Sequence, residues 1–365
     1  MSDVTTSTRV RLAVVGAGVI GALHGAVATA LRDRVELVAV ADLQLDRAEK
    51  LVAEHGGAAY ASLAEALAAV EIDVVTVCTP TGAHGVVAIE AMQAGKDVII
   101  EKPAEITVQR TDEIIAAQQA TGRLVTVISQ HRFDPATEVV VDAIAKGELG
   151  RLTSSICSVD WWRGQTYYDS GDWRGTWELD GGGALMNQGV HTVDLLVATM
   201  GRPVEVFAYT GTLAHERIAV EDVAVGVVRF ESGALGVLHA TTAAYPGMSA
   251  RLQVHGDRGS VSIDNDKLVF IHRTPSDAVA EEKAYGGKAT NQVGDYPEAS
   301  GAADAAAGSD PGALALSAHR RQYENFLDAR DGIGEIRVDL ETNRQALAII
   351  TGVYESARTG RPVAL

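Results

Sequence analysis

The segment VRLAVVGAGVIGALHGAVATALRD, residues 10–33, constrains the fold more than any other stretch of the chain. Residues 10–15 form a short apolar run suited to a buried parallel strand. The run ends in Gly16-Ala17-Gly18-Val19-Ile20-Gly21, and a helical pattern follows from Ala22 to Leu31. A GxGxxG sequence by itself is common, but between a strand and a helix each glycine has a task. Gly16 permits the tight turn. Gly18 lets backbone approach a pyrophosphate at the helix N-terminus, where the amides of Val19 and Ile20 also lie. Gly21 allows the helix to pack closely on the strand. A glycine-rich turn without a ligand is the plainer alternative.

A second strand, VELVAVAD, ends at Asp42, 21 residues after Gly21. A carboxylate there can bond both hydroxyls of a ribose and would repel a 2′-phosphate. No Arg or Lys follows at once, since the next residues are Leu43 and Gln44. NAD is therefore expected over NADP. Asp42 could also cap the helix that follows. Strands and helices continue to alternate up to RLVTVIS, the signature of a doubly wound parallel sheet, the Rossmann arrangement. Ligands of such sheets lie beyond the carboxyl ends of the strands. Three segments fall there: Thr79-Pro80-Thr81, Glu101-Lys102-Pro103 and Gln130-His131-Arg132. Thr79, Pro80, Glu101 and Lys102 are expected at the cofactor, and Arg132 at the substrate. A buried Lys102 could have its pKa lowered enough to move protons. From spacing alone it is equally a solvated lysine at a strand end.

Past Arg151 the pattern changes. RLTSSICSVDWW, PVEVFAYTGT, DVAVGVVRFESGALGVLHATTAA and ARLQVHGDRGSVSIDNDKLVFIHR read as strands at hairpin spacing. One helical segment, GALMNQGVHTVDLLVATMG, interrupts them. The chain of 365 residues is thus expected to hold two domains. Residues 1–132 would form an α/β nucleotide-binding domain, and residues 133–365 an α+β domain with a large, mostly antiparallel open sheet. On the interrupting helix Asn187, His191 and Asp194 are spaced by four and three, on one face. They are either a satisfied buried cluster or they face a cleft. Residues 275–312 read as a long surface loop, a lid, an oligomer arm or simply mobile. Two terminal helices follow.

A net charge of −17 argues against nucleic acid or an anionic membrane as a partner. The N-terminus does not resemble a secretory signal, and no segment reads as a membrane span. Cys78 and Cys157 sit in apolar runs, as expected of reduced buried thiols. A cytoplasmic protein is expected, and no metal.

Taken together, VVGAGVIG, CTPTGAH, EKP, GGGALMNQGVHTVDLL and the ending HRRQYENFLDARDG…ETNRQALAIITGVYESARTGRPVAL resemble the Gfo/Idh/MocA family over nearly the whole chain. The resemblance implies that Lys102, the lysine of EKP, touches the substrate hydroxyl and the nicotinamide ribose. It implies that His191 is the acid/base, and it places His84 near the cofactor, although a packing role at the helix start serves as well. The position four before the histidine is often aspartate in this family and here is Asn187. Asparagine cannot accept a proton, but it can orient a hydroxyl. Asp194 would orient His191 or stabilise the helix.

WWRGQTYYDSGDWRGTW, residues 161–177, holds all four tryptophans. Sugars and cyclitols have apolar C–H faces and polar rims, which rings and polar side chains can meet. The stretch is read as a substrate wall, with Trp161, Arg163, Tyr168 and Arg174 as contacts. A loop-stabilising cluster or an oligomer interface are the alternatives. The expected activity is NAD-dependent oxidation of a secondary ring hydroxyl of a sugar, glycoside or cyclitol, and the family resemblance points to C3 of a pyranoside, with an inositol next. An NAD-dependent glycoside hydrolase working by transient oxidation and a non-catalytic nucleotide sensor are the rivals. An open sheet needs cover, so a homodimer or homotetramer is expected.

Overall fold

The structure is a computed structural model and describes residues 9–171, 173–275, 277, 290–301 and 316–365. They fall into two compact units. One comprises the described residues within Met1–Ile128 and Ala315–Asn343, the other those within Ser129–Leu314 and Arg344–Leu365.

The first unit runs β1 (Val10–Val15), α1 (Val19–Ala30), β2 (Val35–Ala41), α2 (Leu45–His55), β3 (Ala58–Tyr60), α3 (Leu63–Ala69), β4 (Val74–Val77), α4 (His84–Gln93), β5 (Asp97–Ile100), α5 (Val108–Thr121) and β6 (Val125–Val127). All strands are parallel, in the order β3-β2-β1-β4-β5-β6. The order reverses at β1, which is where such sheets bind nucleotides. The strands are mostly apolar because helices cover both faces. One core cluster gathers Val15, Val75, Val77, Met92, Ile100 and Ile114, and the other Leu12, Val14, Val27, Leu37, Val74 and Ile99. Local signals set the helix ends. The Ser62 and Thr107 hydroxyls cap α3 and α5, and Gly122 ends α5 at φ +64°.

The sequence reading divides the chain at residue 132 and assigns everything later to the second domain. The first unit instead closes at Ile128 and takes back a later segment. Tyr323, Phe326 and Leu327 are buried in the second of those clusters, among side chains of β1, β2 and α1.

The second unit continues α6 (Pro135–Ala145), β7 (Leu152–Asp160), α7 (Gln165–Tyr168), α8 (Val190–Met200), β8 (Pro203–Gly211), β9 (Val223–Phe230), β10 (Leu235–Thr241), β11 (Ala250–Gly256), β12 (Ser260–Asp264) and β13 (Lys267–His272). In the chain α9 (Leu316–Arg330), α10 (Leu340–Thr359) and β14 (Val363–Ala364) follow, of which α9 belongs to the first unit. The eight-stranded sheet has the order β13-β12-β11-β7-β10-β9-β8-β14. Every pair is antiparallel except β10 with β7. Alternation selects the faces. Cys157, Val159, Ala224, Val228, Leu238 and Leu252 point to the buried face, toward α8 and the segment just before it, Ala184–Gly189. Ile156, Tyr209, Val225, Val227, Leu235 and Val237 are exposed on the other.

Of the loop expected at 275–312, residues 276, 278–289 and 302–312 lie outside the described residues. Residues 290–301 are tied to β13: the Gln292 N–H donates to the Ile271 carbonyl, and the Leu268 N–H to the Ala299 carbonyl. Among the described residues no helix is long and apolar enough to cross a membrane.

Candidate functional site

The loop from β1 to α1 has the geometry its glycines predict. Gly16 sits at φ +99°, and a Cβ on it would lie 2.5 Å from the Cys78 carbonyl oxygen. A Cβ on Gly21 would lie 2.0 Å from the Gly16 carbonyl oxygen, so only glycine lets the helix close on the turn. A Cβ on Gly18 would meet nothing within 4 Å, which leaves an open approach to the backbone. No side chain caps α1, and Val19 is largely exposed. The start of α1 therefore presents amides and a positive dipole end to that opening. At the end of β2, Asp42 accepts hydrogen bonds from the Ala17 N–H (2.7 Å) and the Gln44 N–H (2.8 Å). It is not the cap of α2, a position held by Gln44. Its carboxylate is locked beside the glycine loop and keeps lone pairs for a diol. At the end of β4, the Thr79 hydroxyl is buried with no hydrogen-bond partner among the described residues, and Pro80 follows it, exposed. An open glycine backbone, an uncapped helix, a fixed carboxylate and an orphaned hydroxyl fit a dinucleotide.

His84 does not offer a ring nitrogen to a ligand. It is buried, with Nδ1 2.8 Å from the Pro103 carbonyl and Nε2 2.8 Å from the Thr79 carbonyl. Its contribution is to tie the loop after β4 to the loop carrying Lys102. Burial pushes its pKa down, against the pull of the two carbonyls.

Lys102 follows Glu101, which is also buried. One Glu101 oxygen accepts from the Lys102 N–H (2.9 Å) and the other contacts His24 Nε2 (2.9 Å). His24 Nδ1 meets the Tyr323 hydroxyl at 2.7 Å, and that hydroxyl meets Thr76 Oγ1 at 2.8 Å. One set of protons satisfies the chain: Thr76 donates to Tyr323, Tyr323 to a neutral His24, and His24 to an ionised Glu101. The directions agree. Burial lowers the His24 pKa. Burial alone would raise Glu101, but the imidazoles of His24 and His319 outweigh it and hold the carboxyl well below its usual range. His24, Glu101 and His319 are also close enough to share a cation. The hydrogen-bonded chain accounts for His24 and Glu101 without one. His24 lies on the buried face of α1, and that place on the helix is the one signal it leaves in the sequence.

In the second unit the helix with the polar face is not one regular α-helix. It opens as a π-helix over Ala184–Gly189 and becomes α8 at Val190. The spacing of Asn187 and His191 therefore spans a wide turn. Asn187 Nδ2 donates to Asp180 Oδ1 (2.7 Å), and Asp180 Oδ2 accepts from the Gly175 N–H (2.9 Å). The His191 ring lies edge-on to the His131 ring, centroids 5.0 Å apart. Asp194 is taken up by Arg132. The guanidinium forks onto it through Nε (2.6 Å) and Nη2 (2.7 Å), both side chains nearly buried. Arg132, expected as a substrate contact, thus anchors α8.

His131, in the strand-end segment expected near ligands, was given no role of its own in the sequence. Its Nδ1 meets Asp134 (2.8 Å) and Asp266 (3.0 Å). Burial would lower its pKa, but Asp266 and Asp134 together hold it well above the usual histidine value. Asp266 reaches it from a two-residue hairpin loop, Asn265-Asp266, both at positive φ. That Asn-Asp pair between β12 and β13 was the available signal. The three could bracket a cation as well.

The aromatic stretch divides. Tyr168, expected at the substrate, is packed in the interior: its hydroxyl meets Thr242 Oγ1 at 2.7 Å and its ring meets the His215 ring edge-on. Arg174 lies over the rings of Tyr167 (4.2 Å) and Trp173 (4.4 Å). Arg163 is buried, 5.0 Å over the Trp161 ring, and donates from Nη2 to Gln188 Oε1 (2.9 Å). The Trp161 indole N–H is buried without a hydrogen-bond partner among the described residues. Gln188 is next to Asn187, so this cluster borders the π-helix.

A nucleotide cradle on a doubly wound sheet and a polar helix on an open sheet, in one chain, define a dinucleotide-dependent oxidoreductase. Residues 10–129 match the oxidoreductase family model with the NAD-binding Rossmann fold, and residues 137–262 match the GFO/IDH/MocA C-terminal domain. The chain belongs to the Gfo/Idh/MocA family and is an NAD-dependent dehydrogenase. It is similar to the WlbA dehydrogenase of Chromobacterium violaceum, solved in complex with NADH and UDP-GlcNAcA. That likeness has a TM-score of 0.85 and 31% identity, and covers 99% of this chain and 97% of that one. It is 30% identical to the D-glucoside 3-dehydrogenase of Escherichia coli over 56% of this chain and 57% of that protein. It is 29% identical to the myo-inositol 2-dehydrogenase of Thermotoga maritima over 70% of this chain and 75% of that protein.

Proposed function

We propose that the chain oxidises a secondary ring hydroxyl of a sugar derivative, at C3 of a pyranoside. The observation that carries this reading is that Asn187 is held at Asp180 with His191 one turn on, in a chain that also carries the NAD cradle. The relatives support the substrate class, since their names speak of a glucoside, an inositol and a sugar nucleotide.

Gly16, Gly18, Val19, Ile20 and Gly21 hold the pyrophosphate by backbone, and Asp42 holds the adenosine ribose. NAD, when bound there, would supply the hydride acceptor. Thr79, Pro80 and Lys102 border the cofactor, while Glu101 and His84 hold the Lys102 loop. His191 takes the hydroxyl proton, Lys102 steadies the developing alkoxide, and Asn187 orients the hydroxyl without accepting a proton. Trp161, Arg163 and Arg174 meet the rest of the sugar.

We also infer a homo-oligomer built on the open sheet. Ile156, Val225, Val227, Leu235 and Val237 form a continuous apolar patch across neighbouring strands, a surface suited to a second copy.

The test is NADH formation from NAD with glucosides, free sugars, inositols and sugar nucleotide acids, compared with His191→Ala. Turnover with one class, lost in the variant while NADH still binds, supports the reading. Sugar release without net NADH would replace it with the hydrolase, and NAD binding without turnover with the nucleotide sensor.

A further inference from the structure

The π-helix that carries Asn187 begins at three glycines, Gly181–Gly183, and has no side chain of its own to cap it. A helix start leaves four backbone N–H groups without intrahelical partners. Here all four are met by two residues far away in sequence. The Gly183 N–H donates to Glu221 Oε2 (2.9 Å), and the Leu185 N–H to Glu221 Oε1 (2.8 Å). The Ala184 N–H donates to the Glu221 carbonyl (3.0 Å), and the Met186 N–H to the Tyr354 hydroxyl (3.2 Å). Tyr354 in turn donates to Glu221 Oε1 (3.1 Å). The first bond within the helix, from the Asn187 N–H to the Gly183 carbonyl, comes next.

The glycines exist for this contact. A Cβ on Gly183 would lie 1.8 Å from the Glu221 carbonyl oxygen, and one on Gly182 would lie 2.2 Å from the Tyr354 hydroxyl. The neighbouring Asp222 does the same for another loop, accepting from the N–H groups of Leu213, Ala214 and His215. Glu221 is buried, and burial pushes its carboxyl up to about 7 despite these donors. A buried carboxylate with its oxygens turned to backbone is a costly way to hold a helix, and a local Ser or Asp would serve for stability alone.

We propose that Glu221, with Tyr354, is a positioning residue for the dehydrogenase reaction: it sets the register of the segment carrying Asn187 and His191 and acts only through them. The proposal rests on the functional reading above. In Glu221→Gln one amide oxygen still accepts, but the amide NH2 faces a backbone N–H, so one of the two side-chain bonds to the helix start is lost.

Two measurements test it in the intact protein with NAD bound. Amide hydrogen exchange in a peptide covering residues 182–188 is expected to quicken at least roughly tenfold, with exchange in β1 and α1 unchanged. With the substrate found in the panel, kcat is expected to fall roughly ten- to a hundredfold while the KM for NAD stays within about twofold. Tyr354→Phe, a milder change, should move both in the same direction by less, and decides the case if Glu221→Gln does not fold. Unchanged exchange in both variants overturns the cap. Quickened exchange with unchanged kcat overturns the positioning role. If the wild-type protein turns over no sugar, the functional reading fails first and the claim about this reaction falls with it, whereas exchange still decides whether the cap exists.

Discussion

The Arg132–Asp194 pair offers the sharpest test of how the helix carrying His191 is held. Both side chains are nearly buried, with 10% and 3% of their surfaces exposed, and two short bonds join them in a fork. Arg132→Met leaves the Asp194 carboxylate inside the second unit without its guanidinium. Breaking one side of such a pair costs about 3–5 kcal/mol, because the remaining charge stays desolvated. For a unit of about 200 residues, each kcal/mol is worth about 2–4 °C, so melting should fall by roughly 6–20 °C. Asp194→Leu should cost a similar amount. The double replacement exchanges the pair for apolar volume and should recover much of the loss, giving a coupling energy of at least about 2 kcal/mol. All four tryptophans lie in residues 161–177, so urea unfolding followed by their fluorescence reports the second unit. Single substitutions that each cost under about 1 kcal/mol and simply add would show that the fork contributes nothing, and that α8 is held by apolar packing.

Asp42→Ser removes the carboxylate bonded to the Ala17 and Gln44 N–H groups, the group proposed above to hold the ribose. NADH affinity should fall roughly tenfold while NADPH binding improves, read by cofactor fluorescence; an unaltered preference would remove Asp42 from the site. His131 gives a pH prediction. Its folded pKa stands well above the unfolded value of about 6.5, so its contribution to stability is complete below that pH and is lost as pH rises through the folded value. The gap in melting temperature between wild type and His131→Gln should be widest near pH 6 and narrow steadily above it. A gap that widens with pH would mean that the ring is neutral in the fold.

The first unit was largely legible because its strands are buried on both faces and its glycines are needed for turns, both of which leave continuous local signals. Gly16, Gly18 and Gly21 could be assigned three separate tasks, and the Cβ positions match each one. The return of α9 to this unit was not legible. Tyr323, Phe326 and Leu327 announce a buried face, but an apolar face does not say which core it joins. For the same reason the chain from Thr76 through Tyr323 and His24 to Glu101 was hidden, since its members come from four distant segments.

The candidate site shows the same limit at closer range. Spacing placed Asn187, His191 and Asp194 on one helical face, a correct inference for an α-helix. The segment starts instead as a π-helix. Its N–H groups are met by Glu221 and Tyr354, which lie 38 and 171 residues after Gly183. Composition likewise marked residues 161–177 as special without saying which rings serve a ligand. That division follows from partners outside the stretch: Thr242 and His215 draw Tyr168 into the core, while Trp161 keeps a buried indole N–H with no partner among the described residues. A residue's chemistry is local and can be read from its type, but its availability depends on what else competes for its polar atoms. For His84, Arg132 and Tyr168 those competitors are a carbonyl pair, a carboxylate and a hydroxyl, all within the fold. Three residues that the sequence puts at ligands thus hold the elements that carry Lys102, His191 and the aromatic stretch.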